Sequence, residues 1–442
     1  MTFKYRTRLF VLAVLLAACG PQTVAPSPSP PPSATLTPLP SGALAAVVPA
    51  TVATIGRWHL VPDGLYAEQV HLAITFATDP FDGAPRARIR ESGGSATGRD
   101  IPLERSGPLT YIGAIDLTGL APGEQTVEAL VRVRDQGYVV AGTGTFLLSQ
   151  PEYVVWTLDF EGDASGDAEL ANTAAIADGL KIPMSVFWNP RAWTTSQVST
   201  ERQDAMLTWT KDRQAKGDEV ALHLHMWTDY VRAAGLVPRL SPSWAGRGDG
   251  YDVPMTAYPE ADQKTLIDYG VKLMTEHGLP KPTSFRAGGD IGDAATLRAV
   301  AAAGFNADCT AVAKDYPAIG RVPYPWNLPV GAQPYTPSRT DANVAGDLSL
   351  LEAPTIGGNT YAYTVNSIQP QIRANLALFA PAGKVATERK AITAVSHPGT
   401  IVPAERAAIE ALLGAFGPLR YDSDRGPVRF VTLAQLAKAY GR

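Results

Sequence analysis

Two histidines lie two residues apart in the run Val220-Ala221-Leu222-His223-Leu224-His225-Met226-Trp227. Side chains alternate faces along a strand, so Ala221, His223, His225 and Trp227 share one side and the apolar residues between them share the other. A strand buried in a parallel sheet is expected to be apolar on both faces. Two imidazoles on one face therefore need a reason. A divalent metal is the commonest one, and a hydrogen-bonded pair of core histidines is the alternative. Zinc takes His nitrogen and carboxylate oxygen, usually through three protein ligands when catalytic, and cobalt, nickel, iron or manganese suit related donor sets. Candidate carboxylates stand in Leu158-Asp159-Phe160-Glu161-Gly162-Asp163. Asp159 and Glu161 share a face if the strand continues, and Asp163 lies just past a glycine that lets the chain turn. One acid can complete a metal site while another takes a proton from metal-bound water; a solvated acidic loop is the alternative.

Strands must bring these groups together. From about residue 151 the chain alternates short apolar runs with helical stretches. The strands are expected at 153–158, 184–188, 219–226, 283–286, 305–308, 348–352, 391–396 and 428–431. The helices are expected near 168–180, 203–216, 260–277, 293–303, 367–379, from Pro403, and over 432–440. Such alternation predicts a parallel sheet wrapped by helices. Seven or eight units over about 290 residues favour a barrel, with an open doubly wound sheet as the alternative. Asp159, His223, His225, Arg286, Asp308 and His397 all fall at strand C-termini, the rim where barrel sites assemble. His277, before Gly278, reads as the C-cap of its helix, and Cys309 as a small buried core residue.

Residues 50–150 read as β, with runs at 70–76, 111–117, 126–133 and 138–148 and turn signals at Asp82-Gly83, Gly93-Gly94 and Pro122-Gly123. This predicts a small all-β immunoglobulin-like sandwich, in which His59 and His71 are structural. The N-terminus carries Lys4, Arg6 and Arg8 and then an apolar stretch, Leu9 to Ala18, too short to span a bilayer. Leu16-Ala17-Ala18-Cys19-Gly20 resembles a bacterial lipobox, which implies cleavage after residue 18, lipidation of Cys19 and a lipid anchor in a membrane of the cell envelope, facing away from the cytoplasm. Residues 19–49 are rich in Pro, Ser and Thr and read as an extended tether. With Cys19 in the targeting segment and only Cys309 left, a disulfide framework is excluded. A net charge of −4, with no face-sized basic cluster, gives no reason to expect nucleic acid.

Over residues 151–442 the motifs resemble those of the polysaccharide deacetylases of carbohydrate esterase family 4. The family's Thr-Phe-Asp-Asp motif has its counterpart in Thr157 to Asp163, and its Gly-x-Glu lead into the metal histidine in Gly217-Asp218-Glu219-Val220-Ala221-Leu222-His223. The arginine motif corresponds to Ser284 to Asp290, and the late strand ending in histidine to Ala394-Val395-Ser396-His397. The resemblance implies a deformed (β/α)7 barrel that removes acetyl groups from a polysaccharide or peptidoglycan. It makes Asp159 the general base, Arg286 its orienting partner and His397 the general acid. It gives His223 and either Glu161 or Asp163 a metal-ligand role. Asp308 and Trp326 are its candidates for the fourth motif. Trp227, Asp290, Asp308, Tyr324 and Trp326 are candidates to line a sugar cleft, with core packing as the alternative for the aromatics. The chain departs from the family pattern in placing its second histidine two residues after the first, His225, where family members have four; Trp227 stands at the fourth position.

Two other classes compete. Amidohydrolase barrels also carry a His-x-His strand, but there it is the first strand, whereas here the acidic motif precedes it. A tethered glycan-binding lipoprotein without activity is the non-enzymatic alternative.

Overall fold

The computed structural model describes residues 48–442 apart from 66–68, 80–82, 91–95, 135 and 362. The expected signal segment, Cys19, most of the tether and the turn signals at residues 82 and 93–94 lie outside the described residues.

The first nine strands are β1 (Ala50–Thr54), β2 (Trp58–Leu60), β3 (Gln69–Phe76), β4 (Arg86–Arg90), β5 (Ala96–Pro102), β6 (Glu104–Arg105), β7 (Thr110–Asp116), β8 (Gly123–Val133) and β9 (Gly137–Ser149). They form two sheets, ordered β1-β3-β7-β6 and β2-β9-β8-β4-β5. β3 alternates exposed and buried residues, and its inward set, Val70, Leu72, Ile74 and Phe76, packs with Ile89, Val127, Val131 and Phe146 of the other sheet in one apolar core. This is how a two-sheet layer hides one face of each strand. His59 packs edge-on against Phe146, with ring centroids 5.1 Å apart, and His71 is exposed.

The remaining chain runs β10 (Glu152–Asp159), α1 (Asp167–Leu180), β11 (Ser185–Trp188), α2 (Thr200–Ala215), β12 (Glu219–Leu224), α3 (Thr228–Ala233), α4 (Glu260–Glu276), β13 (Ser284–Ala287), α5 (Ala294–Ala302), β14 (Ala307–Asp308), β15 (Leu351–Glu352), β16 (Gly358–Asn359), α6 (Gln369–Leu378), β17 (Lys390–Ser396), α7 (Pro403–Gly414), β18 (Val428–Phe430) and α8 (Leu433–Ala439). The strands form one sheet, ordered β15-β14-β13-β12-β11-β10-β17-β16, with β18 also on β10, and every pairing is parallel. Strands β10 to β15 lie side by side in chain order, and β17 returns to the free side of β10. A doubly wound sheet reverses direction midway; this one winds one way, as a barrel does. Between β15 and β16 no ladder closes among the described residues, so the barrel is open there.

β10 shows why the strands divide their residues as they do. Val154, Trp156 and Leu158 join the outer core under the helices. Tyr153 and Val155 join an inner cluster with Phe187, Ala221, Ala307 and Cys309. Thr157 and Asp159 continue the inner face by period two. The same alternation puts Leu222 and Leu224 outside and His223 inside on β12. Sequence-level boundaries shift by a few residues. The second strand begins at Ser185, and β12 ends at Leu224, so His225 and Trp227 follow the strand and Trp227 is the N-cap of α3. β14 and β15 shrink to two residues each, and no helix of the described residues joins them. His277 is the C-cap of α4, with its ring stacked on Trp193 at 4.0 Å. Cys309 is buried and forms no disulfide among the described residues. Among the described residues no helix is long and apolar enough to cross a membrane. The first two sheets meet the barrel through Asp424, whose carboxylate accepts the backbone N–H groups of Arg57 and Trp58 at 2.8–2.9 Å.

Candidate metal centre

Glu161, just past β10, is the hub. His225 Nε2 lies 2.7 Å and His223 Nε2 3.8 Å from its Oε2, and His397 Nε2 lies 3.2 Å from its Oε1. One ligand atom from each of Glu161, His223 and His225 falls within 4.8 Å of the others, the spacing of a metal site.

The imidazole tautomers follow from the other ring nitrogen. His223 Nδ1 is 3.1 Å from the Arg286 carbonyl, and His225 Nδ1 is 2.8 Å from the Tyr251 carbonyl. A carbonyl only accepts, so both Nδ1 atoms carry the proton and both Nε2 atoms present lone pairs in the neutral rings. Backbone carbonyls play this orienting part for metal-bound histidines generally. Among the described residues, the buried atoms His223 Nε2 and Glu161 Oε2 have no hydrogen-bond partner. Electron pairs from two rings and a carboxylate thus converge with no proton between them, which is the demand a divalent cation satisfies. When the imidazoles are protonated instead, their charges and hydrogen bonds overcome the effect of burial and hold the Glu161 carboxyl well below the usual range. For His223, burial works against the charged form, while Asp159 and Glu161 favour it and win, raising its pKa.

Beside this cluster stands Asp159, buried at the end of β10. Arg286 Nη1 donates to its Oδ1 at 2.9 Å and to Thr157 Oγ1 at 2.8 Å. The same guanidinium donates to the Cys309 carbonyl and to Thr355 Oγ1 at 3.1 and 3.0 Å, and it lies over the Phe187 ring at 5.1 Å. Arg286 is thereby locked, and it fixes the carboxylate it faces.

The acidic loop is held from behind. Gly162 has φ +81°, and a Cβ there would come within 2.9 Å of Arg191 Cβ, so the turn after Glu161 needs glycine. Arg191, fully buried, donates to the Gly162 carbonyl at 2.9 Å and to Asp229. Its guanidinium lies 3.7 Å from the Trp227 ring centre, and Trp227 Nε1 donates to the Glu161 carbonyl at 2.9 Å. Trp227 therefore supports the Glu161 backbone and does not line the cavity. Gly288 makes room for His225, since a Cβ there would meet the ring at 2.5 Å.

A cavity of about 410 Å³ opens on the cluster, lined by Asp159, Glu161, His223, His225, Arg286 and His397 together with Trp244, Tyr251, Asp290, Asn359 and Tyr361. Trp244 and Tyr251 come from the long segment between α3 and α4, and sequence reasoning missed them. The signal was the segment itself, a stretch without periodicity that holds Trp244, Tyr251 and several glycines. Asp163 lies outside the three-group cluster and the cavity lining; burial and the Glu161 charge raise its carboxyl. Asp308 is removed from the cavity as well: it is fully buried, its Oδ1 accepts the Thr310 N–H at 2.7 Å, and it stands opposite Glu352 on the neighbouring strand. Trp326 is buried and donates from Nε1 to the Asp290 carbonyl at 2.8 Å. Tyr324 lines a neighbouring cavity.

No family model matches the chain, and no curated protein matches it. Among solved structures the chain is similar to a protein from Mycobacterium smegmatis assigned to the polysaccharide deacetylases, at 16% identity over 65% of this chain and 89% of that one, with a TM-score of 0.42. It is similar to the family 4 carbohydrate esterase from Streptomyces lividans in complex with acetate, at 9% identity over 63% and 97%, with a TM-score of 0.33. It is also similar to a variant of the peptidoglycan deacetylase PdaC from Bacillus subtilis, at 10% identity over 66% and 92%, with a TM-score of 0.33.

Proposed function

We propose that this chain belongs to the polysaccharide deacetylase superfamily and is a metal-dependent hydrolase that removes acetyl groups from an envelope or extracellular polysaccharide. One observation carries the reading: His223 and His225 turn their Nε2 lone pairs onto Glu161 with no donor between them, beside an aspartate clamped by Arg286. The donor set of two imidazoles and one carboxylate suits zinc, with cobalt, nickel, iron or manganese as close substitutes. Glu161, rather than Asp163, is the carboxylate ligand in this reading. A cation bound there supplies Lewis acidity toward a carbonyl and makes water more acidic.

The chain's own residues then divide the proton work. Asp159 accepts the proton of the attacking water, and Arg286, donating to its Oδ1 at 2.9 Å, keeps it aimed. His397, on the other side of Glu161, delivers a proton to the leaving nitrogen or oxygen. A carbon–oxygen bond forms from water to the acetyl carbon, the bond to the sugar nitrogen or oxygen breaks, and acetate leaves. Trp244 and Tyr251 wall the cavity against bulk water.

The remaining readings belong to the same proposal. The strand orders β1-β3-β7-β6 and β9-β8-β4-β5 support an immunoglobulin-like arrangement for residues 50–150, followed by the catalytic barrel over 151–442. The lipobox-like run at Cys19 supports a lipid-anchored envelope protein. The test is acetate release from chitin oligomers, peptidoglycan and acetylated xylan by zinc- or cobalt-loaded protein. Release that a chelator stops and added metal restores is the expected result. Metal-loaded protein inert on all three would overturn the reading and leave a non-catalytic glycan binder.

A further inference from the structure

A second cavity of about 590 Å³ adjoins the first, and Asp290, Ile319, Asn359 and Tyr361 line both. Its wall holds two carboxylates, Asp290 and Asp315, and four tyrosines, Tyr316, Tyr324, Tyr361 and Tyr363, with no Lys or Arg.

Asp290 stands at the junction and is 8% exposed. Among the described residues no donor reaches its carboxylate. The nearby cation, Arg286, is committed to Asp159, Thr157, Thr355 and the Cys309 carbonyl. Burial accordingly pushes the Asp290 carboxyl up to about 7, against the pull of Arg286. The residue holds φ 56°, a left-handed conformation unusual for a side-chain-bearing residue, and Trp326 Nε1 pins its carbonyl there. The Tyr324 hydroxyl, on the same cavity, is also buried with no partner among the described residues. An acid buried without a donor costs free energy unless a ligand supplies one. A space walled by two carboxyl groups and four tyrosines, with no Lys or Arg in its lining, suits an organic cation that can also stack.

We propose that the second cavity takes a sugar unit bearing a free ammonium group, next to the acetylated unit at the metal cluster, with the ammonium on Asp290. The preferred substrate is then a partly de-N-acetylated aminoglycan rather than a fully acetylated one. This rests on the deacetylase reading for the neighbouring acetylated unit, but binding of the cationic unit needs no turnover.

The test is calorimetric binding to the full, metal-loaded protein at fixed pH and salt, with glucosamine tetramer, N-acetylglucosamine tetramer and trilysine as probes. The glucosamine tetramer should bind about tenfold tighter than the acetylated one, the worth of one charge-assisted hydrogen bond. Asp290→Asn, which keeps a residue tolerant of the left-handed conformation, should remove most of that preference. Tyr324→Phe should weaken the glucosamine oligomer by a smaller factor, which guards against a folding artefact at residue 290. Equal affinities for the two tetramers, trilysine binding as tightly as glucosamine tetramer, or Asp290→Asn losing metal while the glycan preference survives would each overturn the proposal. Acetate release without any amino-sugar preference would leave the deacetylase reading standing alone; amino-sugar binding without acetate release would do the reverse.

Discussion

His225 and Tyr251 lie face to face, with ring centroids 4.1 Å apart and planes 11° from parallel, while the Tyr251 carbonyl accepts the His225 Nδ1–H at 2.8 Å. One residue thus fixes both the plane and the tautomer of the imidazole that comes closest to Glu161. Burial and the Glu161 charge raise the Tyr251 hydroxyl far above its ordinary pKa, so it stays neutral beside the carboxylate.

Tyr251→Ala removes the stacking surface and keeps the carbonyl. Zinc affinity, measured by competition with a chromophoric chelator, should fall about tenfold, the lower end for an outer residue that orients a ligand. An unchanged affinity would mean that the carbonyl alone sets the ring.

Ligand and base separate by two readouts. His225→Ala and Glu161→Gln should each lose most bound metal by mass spectrometry of the purified protein. Asp159→Asn should keep its metal and lose acetate release by about 10²- to 10⁴-fold. Asp159→Asn with full turnover would remove Asp159 from the base role, and His225→Ala with full metal content would remove His225 from the ligand set.

Acid should expel the metal by protonating imidazole before carboxylate. The pKa of His223 is raised and that of Glu161 is held low, so protons compete for the histidine first. At limiting zinc, occupancy should be complete near about pH 8 and fall as pH drops through the imidazole range, about pH 6–7. Occupancy that stays flat down to about pH 4, where only carboxylates titrate, would contradict an imidazole-based site.

Under the site, Asp308 and Glu352 are fully buried and stand opposite each other on neighbouring strands, and burial raises both carboxyls. A carboxyl raised by folding binds its proton more tightly in the native state. Its favourable contribution is complete below the unfolded value, about pH 4, and is lost as pH rises through the folded value. Glu352→Gln keeps an acceptor for the Ala311 N–H, which Glu352 Oε1 accepts at 2.9 Å, and offers a permanent donor to Asp308. Relative to wild type, the variant should gain stability as pH rises from 5 to 8, by about 1 kcal/mol or more, the value of a one-unit shift. A melting-temperature difference that does not change with pH would show that the pair does not titrate in this range.

Much of this was legible along the chain. Period-two alternation put His223 on the inner face of its strand, and strand-end polarity picked out Asp159, Arg286 and His397. These are local properties, because a strand's faces and its C-terminal end follow from backbone geometry whatever surrounds them. Trp227 was misread for a related reason. The strand stops at Leu224, the alternation stops with it, and the indole turns back to hold the Glu161 carbonyl. Asp308 was misread because a strand end shows only where a side chain starts; its partner, Glu352, arrives 44 residues later on a neighbouring strand.

The sequence by itself determined the order of strands and helices, the inner and outer faces, and the residue types able to bind a cation. Only the tertiary structure decided that Glu161 rather than Asp163 meets both imidazoles, that Tyr251 and Trp244 complete the wall, and that Asp290 faces two cavities with no donor on its carboxylate among the described residues. Those outcomes depend on loops whose paths are set by packing between distant segments, such as Arg191 against Trp227 and Gly288 against His225. No periodicity within either segment encodes such a meeting.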